Sequence, residues 1–415
     1  MRTRTLLAAA VLAAAAGIAV PAAAHTLGEP ITVDDTITVD PMLDARLRWE
    51  DVDAAKAADA VTLRARFGFE ARQKALGLSF LAEGQGTVAL DKGYNAFPFV
   101  HPASNQYRPA DAVIADPESI ALNRLQLQYR TKALALTLGR QRINLDDQRW
   151  VGNAGWRQNE QTFDAVRLET GHGPLAIDLT YSNSQRTIYG RDSGPRRSFD
   201  GDFGFLGATL KAGPVAVKGF AYLVDYGDPL AVVNSSQTYG FRATAGLPLA
   251  RGVKLNLAGS YARQSSFKTT PFRFAADYVA IEGGLGTHGF TATAGYEKLG
   301  SDGGLHALQT PLATLHKFNG WADLFLTTPA KGLQDAYGGV AYAFPGVKAV
   351  KGLSATVVYH QFDSDVGAID YGHEWDLSAG LKTGKVAWLV KYATYTARGF
   401  GVDTKKFWLQ AEFAL

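Results

Sequence analysis

The sequence has no cysteine among its 415 residues and only two methionines. A disulfide framework, a thiolate metal site and a cysteine nucleophile are therefore excluded. An excess of charge of either sign is also missing: 42 basic residues face 39 acidic ones, for a formal charge of +3. So even a balance gives no electrostatic footprint for nucleic acid, and none is expected as a partner. Mean hydropathy is only −0.08, and beyond residue 24 no apolar run approaches the roughly 20 residues of a membrane-spanning helix. A polytopic helical membrane protein is excluded on that ground. With 17 Tyr and 22 Phe, the chain is too rich in aromatics to remain disordered.

What is present begins with a leader-like unit. Arg2 and Arg4 give a positive start, Leu6 to Val20 is apolar and rich in Ala, Pro21 breaks the run, and Ala22-Ala23-Ala24 precedes His25. This is the pattern of a secretory signal peptide over residues 1–24, cleaved near Ala24. The next segment, 25–39, reads as a short periplasmic tail.

From residue 40 to the end the dominant period is two. Leu43, Ala45, Leu47 and Trp49 alternate with Asp44, Arg46, Arg48 and Glu50. Leu63, Ala65, Phe67 and Phe69 alternate with Arg64, Arg66 and Glu70, and Leu125, Leu127 and Tyr129 alternate with Arg124, Gln126, Gln128 and Arg130. One face of each strand is apolar and the other polar. These strands run to about ten residues, the length a tilted strand needs to cross a bilayer, whereas soluble sandwich strands average about five or six. Short turns alternate with longer polar loops, as in bacterial outer-membrane barrels. A closed cylinder also leaves no unpaired strand edge in lipid.

The pattern predicts an all-β chain: a single antiparallel transmembrane barrel of 18 strands over 40–415, with long extracellular loops and short periplasmic turns, in the outer membrane of a Gram-negative bacterium. A further strand-like piece at 320–327 would make the count odd, against the even counts of such barrels. It is therefore assigned to a long loop, about 299–332, that folds inward. Arg46, Arg48, Arg64, Arg66, Arg124 and Arg130 fall in the polar phase. A charge facing lipid at the midplane costs about 2–4 kcal/mol, so these arginines are expected in the lumen. Trp49, Trp375, Trp388 and Trp408, with Tyr129 and Tyr181, are expected in the interfacial girdle.

The most distinctive stretch runs Gly139-Arg140-Gln141-Arg142-Ile143-Asn144-Leu145-Asp146-Asp147-Gln148-Arg149-Trp150-Val151-Gly152. It continues through Trp156-Arg157-Gln158 to Thr162-Phe163-Asp164 and Arg167. A second stretch holds Gly320-Trp321-Ala322-Asp323 and, further on, Gly332-Leu333-Gln334-Asp335. Both resemble segments of the alginate-export family of outer-membrane porins. The resemblance implies an 18-stranded monomeric barrel with an electropositive constriction and an anionic polysaccharide as cargo. In the residues themselves, Arg140, Arg142, Arg149, Arg157 and Arg167 concentrate guanidinium groups, which stay charged and bind carboxylates in bidentate fashion. Asp146, Asp147, Glu160 and Asp164 lie among them as ion-pair partners. Leu134, Leu136 and Leu138 share parity with Arg140 and Arg142, and a bulge near Gly139 is expected to turn the arginines inward.

The last ten residues place Phe407, Leu409, Ala411, Phe413 and Leu415 on one face. That ending resembles the signal read by the barrel-assembly machinery. Outer-membrane lipid, including lipopolysaccharide, would surround the barrel. The chain lacks Gly-x-Ser-x-Gly and His-Glu-x-x-His, and its eight His stand at no ligand spacing, so no catalytic residue, metal or cofactor is assigned. The functional expectation is a passive channel for anionic saccharides or small carboxylated solutes. Its rivals are a dedicated exit pore of an exopolysaccharide secretion system and, from another class, a lipid-modifying enzyme. The enzyme needs a nucleophile and a His at the lipid face, whereas alternation places His360 inside.

Overall fold

The computed structural model describes residues 28–347 and 350–415; the leader-like residues 1–24 lie outside these. Eighteen antiparallel strands close into one barrel. They are β1 Ile37–Asp53, β2 Ala57–Gln73, β3 Leu78–Gly93, β4 Ser119–Arg130, β5 Leu134–Gln141, β6 Thr162–His172, β7 Leu175–Arg186, β8 Ser198–Ala212 and β9 Val215–Tyr226. The second half comprises β10 Ser236–Ala250, β11 Val253–Ser266, β12 Ala275–Thr287, β13 Phe290–Leu299, β14 Leu333–Ala343, β15 Lys351–Asp363, β16 Asp370–Thr383, β17 Val386–Ala397 and β18 Thr404–Ala414. Each pairs with its sequence neighbour, and β18 pairs with β1 from Asp44↔Ala414 to Asp53↔Lys405. That last ladder leaves the cylinder no open end, as a hydrocarbon surround requires.

Alternation decides which way each side chain points. On β1, Leu47 and Trp49 are exposed outside while Arg46, Arg48 and Glu50 are buried inside; on β2, Phe67 and Phe69 face out and Thr62, Arg64 and Arg66 face in. Outward Trp49, Tyr129, Tyr181, Trp375 and Trp388 are all exposed. Trp408 is a correction to the girdle expectation: it is fully buried in the lumen, in phase with Lys406 and Gln410 rather than with the apolar face of β18.

The segment 320–327 forms no strand. It belongs to an inward excursion, 300–332, that meets a second one, 142–161. The apolar core of the molecule lies inside the barrel. Ile143, Leu145, Val151, Leu308, Leu312 and Phe325 from the two excursions pack on wall aromatics such as Phe205, Tyr226, Phe362 and Trp408. Burying these side chains is what draws both loops into the lumen.

The two excursions are also stitched by backbone. Gly152 N donates to Leu312 O at 2.9 Å, Thr314 N to Gln148 O at 3.1 Å, and Gln161 Nε2 to both Gly152 O and Leu312 O. Gly152 is required at this seam, because a Cβ there would strike Thr314 Oγ1.

Candidate functional site

Where the two excursions cross the lumen, most of the arginines singled out from sequence are brought together. Arg157 bridges the wall and the second excursion, with Nη1 3.3 Å from Glu50 Oε2 and Nη2 2.6 Å from Asp323 Oδ2. Burial works against the Arg157 cation, but Glu50, Asp323 and Asp116 more than offset it and raise its pKa above the ordinary value. Arg149 is likewise buried. Its Nε donates to Glu297 at 2.7 Å, its Nη atoms reach Thr310 and Asn319, and its pKa too is raised, Glu297 outweighing burial.

The wall arginines grip the first excursion. Arg48 donates to Trp156 O at 2.6 Å, pairs with Asp116 at 3.2 Å, and lies 4.0 Å from the Trp156 ring centroid. Arg46 donates to Gly155 O and Trp156 O and pairs with Glu412; Arg64 pairs with Asp44 and Glu412. Arg66 meets Gln85 and Glu160, and Arg142 meets Glu160 and Glu83, which also holds Arg124. The carboxylates therefore hold the arginines, and the arginines hold the loop.

Arg167 sits lower, against Asp178 at 2.5 Å, and Arg130 is exposed at the foot of β4. Arg140 is not in the lumen. The β4–β5 and β5–β6 ladders carry no register shift at Gly139, so the expected bulge is absent and Arg140 keeps the outward phase of Leu138. Arg142 turns inward because it lies past the strand end, not because the phase has flipped.

The family-motif residues mostly serve the seam. Trp150 packs on Phe220, Tyr222 and Tyr278, and Phe163 on Phe205. Gln158 is fully buried, its N–H donating to Asp116 and its Nε2 to Thr62 Oγ1. Gln141 donates to the carbonyls of Thr137, Gly139 and Ala165. Asp164 stands outside with Arg140, and Asp335 inside with His360 at 2.9 Å.

Sequence reasoning missed the centre of this arrangement. Lys391 on β17 is enclosed by Trp321, Trp156 and Trp408, its Nζ lying 3.7, 4.2 and 5.4 Å from the ring centroids. Its Nζ is also 2.8 Å from His316 Nε2, while His316 Nδ1 is 2.8 Å from Asp323. Burial pushes the His316 pKa well below 6.5, so the neutral ring donates from Nδ1 to Asp323 and accepts at Nε2 from Lys391. Burial alone would raise the Asp323 carboxyl; His316, Lys406 and Arg157 around it hold it well below 3.8. Nearby, Trp321 N and Ala322 N donate to Asp376 and Glu374 at 3.2 and 2.7 Å.

Above this plug lies an outer vestibule of about 490 Å³, lined by Phe97, Phe99, Tyr189, Phe199 and Tyr226, with Arg157, His316 and Asp323 among its walls. Below lies a cavity of about 450 Å³ with Arg130, Lys132, Arg167 and Lys218 set against Asp146, Glu169 and Asp178. The arrangement offers a solute an aromatic mouth, a narrow charged waist and a mixed-charge exit.

Residues 39–194 match the family model for alginate export. Among solved structures, OpdK of Pseudomonas aeruginosa, crystallised with vanillate, is 15% identical with a TM-score of 0.70, over 92% of this chain and 98% of that one. OpdL of the same organism is 17% identical with a TM-score of 0.68, over 91% of this chain and 98% of its own. No curated protein matches the chain. The chain thus carries the alginate-export signature over its first seven strands and the fold of the Pseudomonas outer-membrane channels along almost its whole length.

Proposed function

We propose that this chain is a passive outer-membrane channel for small solutes bearing a carboxylate, aromatic carboxylates among them, with a preference for anions. The observation that carries this reading is the outer vestibule: a ring-lined mouth of about 490 Å³ whose wall includes Arg157, its guanidinium shared with Glu50 and Asp323. Aromatic side chains take a flat apolar ring, and a guanidinium takes a carboxylate. Below the waist, Arg167 and Lys218 offer the next cationic stations. OpdK, which shares the fold, was crystallised with vanillate, an aromatic carboxylate. A long polysaccharide fits less well, because the stitched excursions divide the lumen into separate cavities.

Planar-bilayer recording across a KCl gradient tests the charge preference. The reversal potential is expected on the anion side, and Arg167→Ala is expected to move it toward neutral. A cation-preferring potential in the unmodified chain would refute the reading.

A further inference from the structure

The extracellular half of the wall between β4 and β6 is not closed by backbone pairing. The β4–β5 ladder ends at Leu125↔Arg140, so Ser119 to Leu122 and Arg124 of β4 are paired only on the β3 side, and Asn123 between them is bulged out of that ladder. Beyond Gln141 the chain dives into the lumen and returns at Thr162, opposite Arg186 of β7. The interruption is a pocket of about 190 Å³. Asn159 and Glu160 of the inward excursion form part of its lining, and Ile120 and Leu122, exposed on the outer face, form its lip. Gly86, opposite Ile120, leaves open space where a side chain would stand.

Four arginines converge on this notch: Arg140, Arg186, Arg191 and Arg197. Arg140 closes part of the gap chemically. Its Nη1 donates to Leu122 O at 3.1 Å, a carbonyl on the edge that β5 leaves unpaired, while Nε and Nη2 clamp Asp164 at 2.7 and 2.9 Å. Among the described residues, buried Arg186 Nε has no hydrogen-bond partner, and it stands 3.7 Å from the already engaged Asp164. Arg191 stands 3.5 Å from its neighbour Asp192, and Arg197 is exposed beside it. Glu160 is held from the lumen side by Arg66 and Arg142. The notch thus carries uncompensated positive charge over an apolar lip. Its height is that of a headgroup: on the outer face, exposed Val166 and Tyr181 pair with each other just below Asp164, where an interfacial aromatic belongs.

We propose that the notch binds a phosphate of an outer-leaflet glycolipid, of the lipid A type, with an acyl chain lying over Ile120 and Leu122. Guanidinium groups pair with phosphate oxygens in bidentate geometry, and a bound headgroup would seal this interrupted stretch of wall. The inference rests on the barrel's place in the outer membrane, not on the solute it passes.

The test is native mass spectrometry of the detergent-solubilised chain titrated with bis-phosphorylated lipid A, with dephosphorylated lipid A and with inorganic phosphate. The expected result is specific retention of the phosphorylated lipid, weakened at least tenfold in the Arg186→Gln/Arg197→Gln variant. Unitary conductance of that variant should be unchanged, which separates failure of this site from failure of the channel. Equal retention of dephosphorylated lipid A by the unmodified chain would overturn the proposal without reference to any variant. Full affinity in a variant that still migrates as a folded barrel would overturn it as well, and so would inorganic phosphate binding as tightly as the lipid.

Discussion

Replacing Asp323 by Ala is expected to raise the single-channel conductance several-fold. Asp323 is the carboxylate on which the second excursion closes: Arg157, Lys406 and His316 all converge on it, at 2.6, 3.1 and 2.8 Å. Removing it leaves Lys406 without its ion-pair partner and Arg157 with only the longer contact to Glu50. Breaking a buried pair from one side costs about 3–5 kcal/mol. The strands, held by ladders that Asp323 does not touch, have no reason to separate, so the cost falls on the docking of 300–332 in the lumen. The barrel should still migrate as a compact species before boiling while its conductance rises. Asp323→Asn, which keeps the shape and drops the charge, should give an intermediate increase. A variant with unchanged conductance would show that the excursion is held by apolar packing alone.

Gly320→Val is expected to act on the same loop through the backbone. Gly320 has φ +83°, and a left-handed conformation costs an L-residue roughly 1–2 kcal/mol. A side chain here would also strike the Glu374 carboxylate. The collision displaces Trp321 and Ala322, whose N–H groups donate to Asp376 Oδ2 and Glu374 Oε1; an unsatisfied buried acceptor costs about 1–3 kcal/mol. The result should again be a larger, noisier conductance in a folded barrel. Because both changes release one element, the Asp323→Ala/Gly320→Val pair should exceed the larger single effect by little. Additive increases would place the two residues in independent gates.

The wall was largely legible in the sequence, because a period of two assigns each residue to lipid or lumen without reference to distant parts of the chain. The same rule would have placed Trp408 correctly: with Phe407 and Leu409 facing out, the residue between them faces in. Expecting it in the girdle followed residue type instead of phase. Arg140 is the reverse case. Its phase pointed outward, and a bulge was invoked to avoid a charge in lipid, yet Asp164, the Leu122 carbonyl and a position at headgroup height make the outward placement affordable.

The plug was not legible. Arg157 and Asp323 are 166 residues apart, and Lys391 and His316 75 apart. Alternation says that such groups face the lumen but not which will meet across it. The two motif blocks did hold both halves of the seam, and their meeting is a consequence of loop length and apolar burial that no local period encodes.

The central claim is that a small carboxylated solute crosses this barrel and a long polymer does not. Swelling of proteoliposomes in isotonic solutions of graded solutes measures this directly. Vanillate-sized aromatic carboxylates should produce rapid swelling, and uronic-acid oligomers should produce progressively less with each added sugar. Swelling that is absent for the small carboxylates, or just as fast for the long oligomers, would contradict the account.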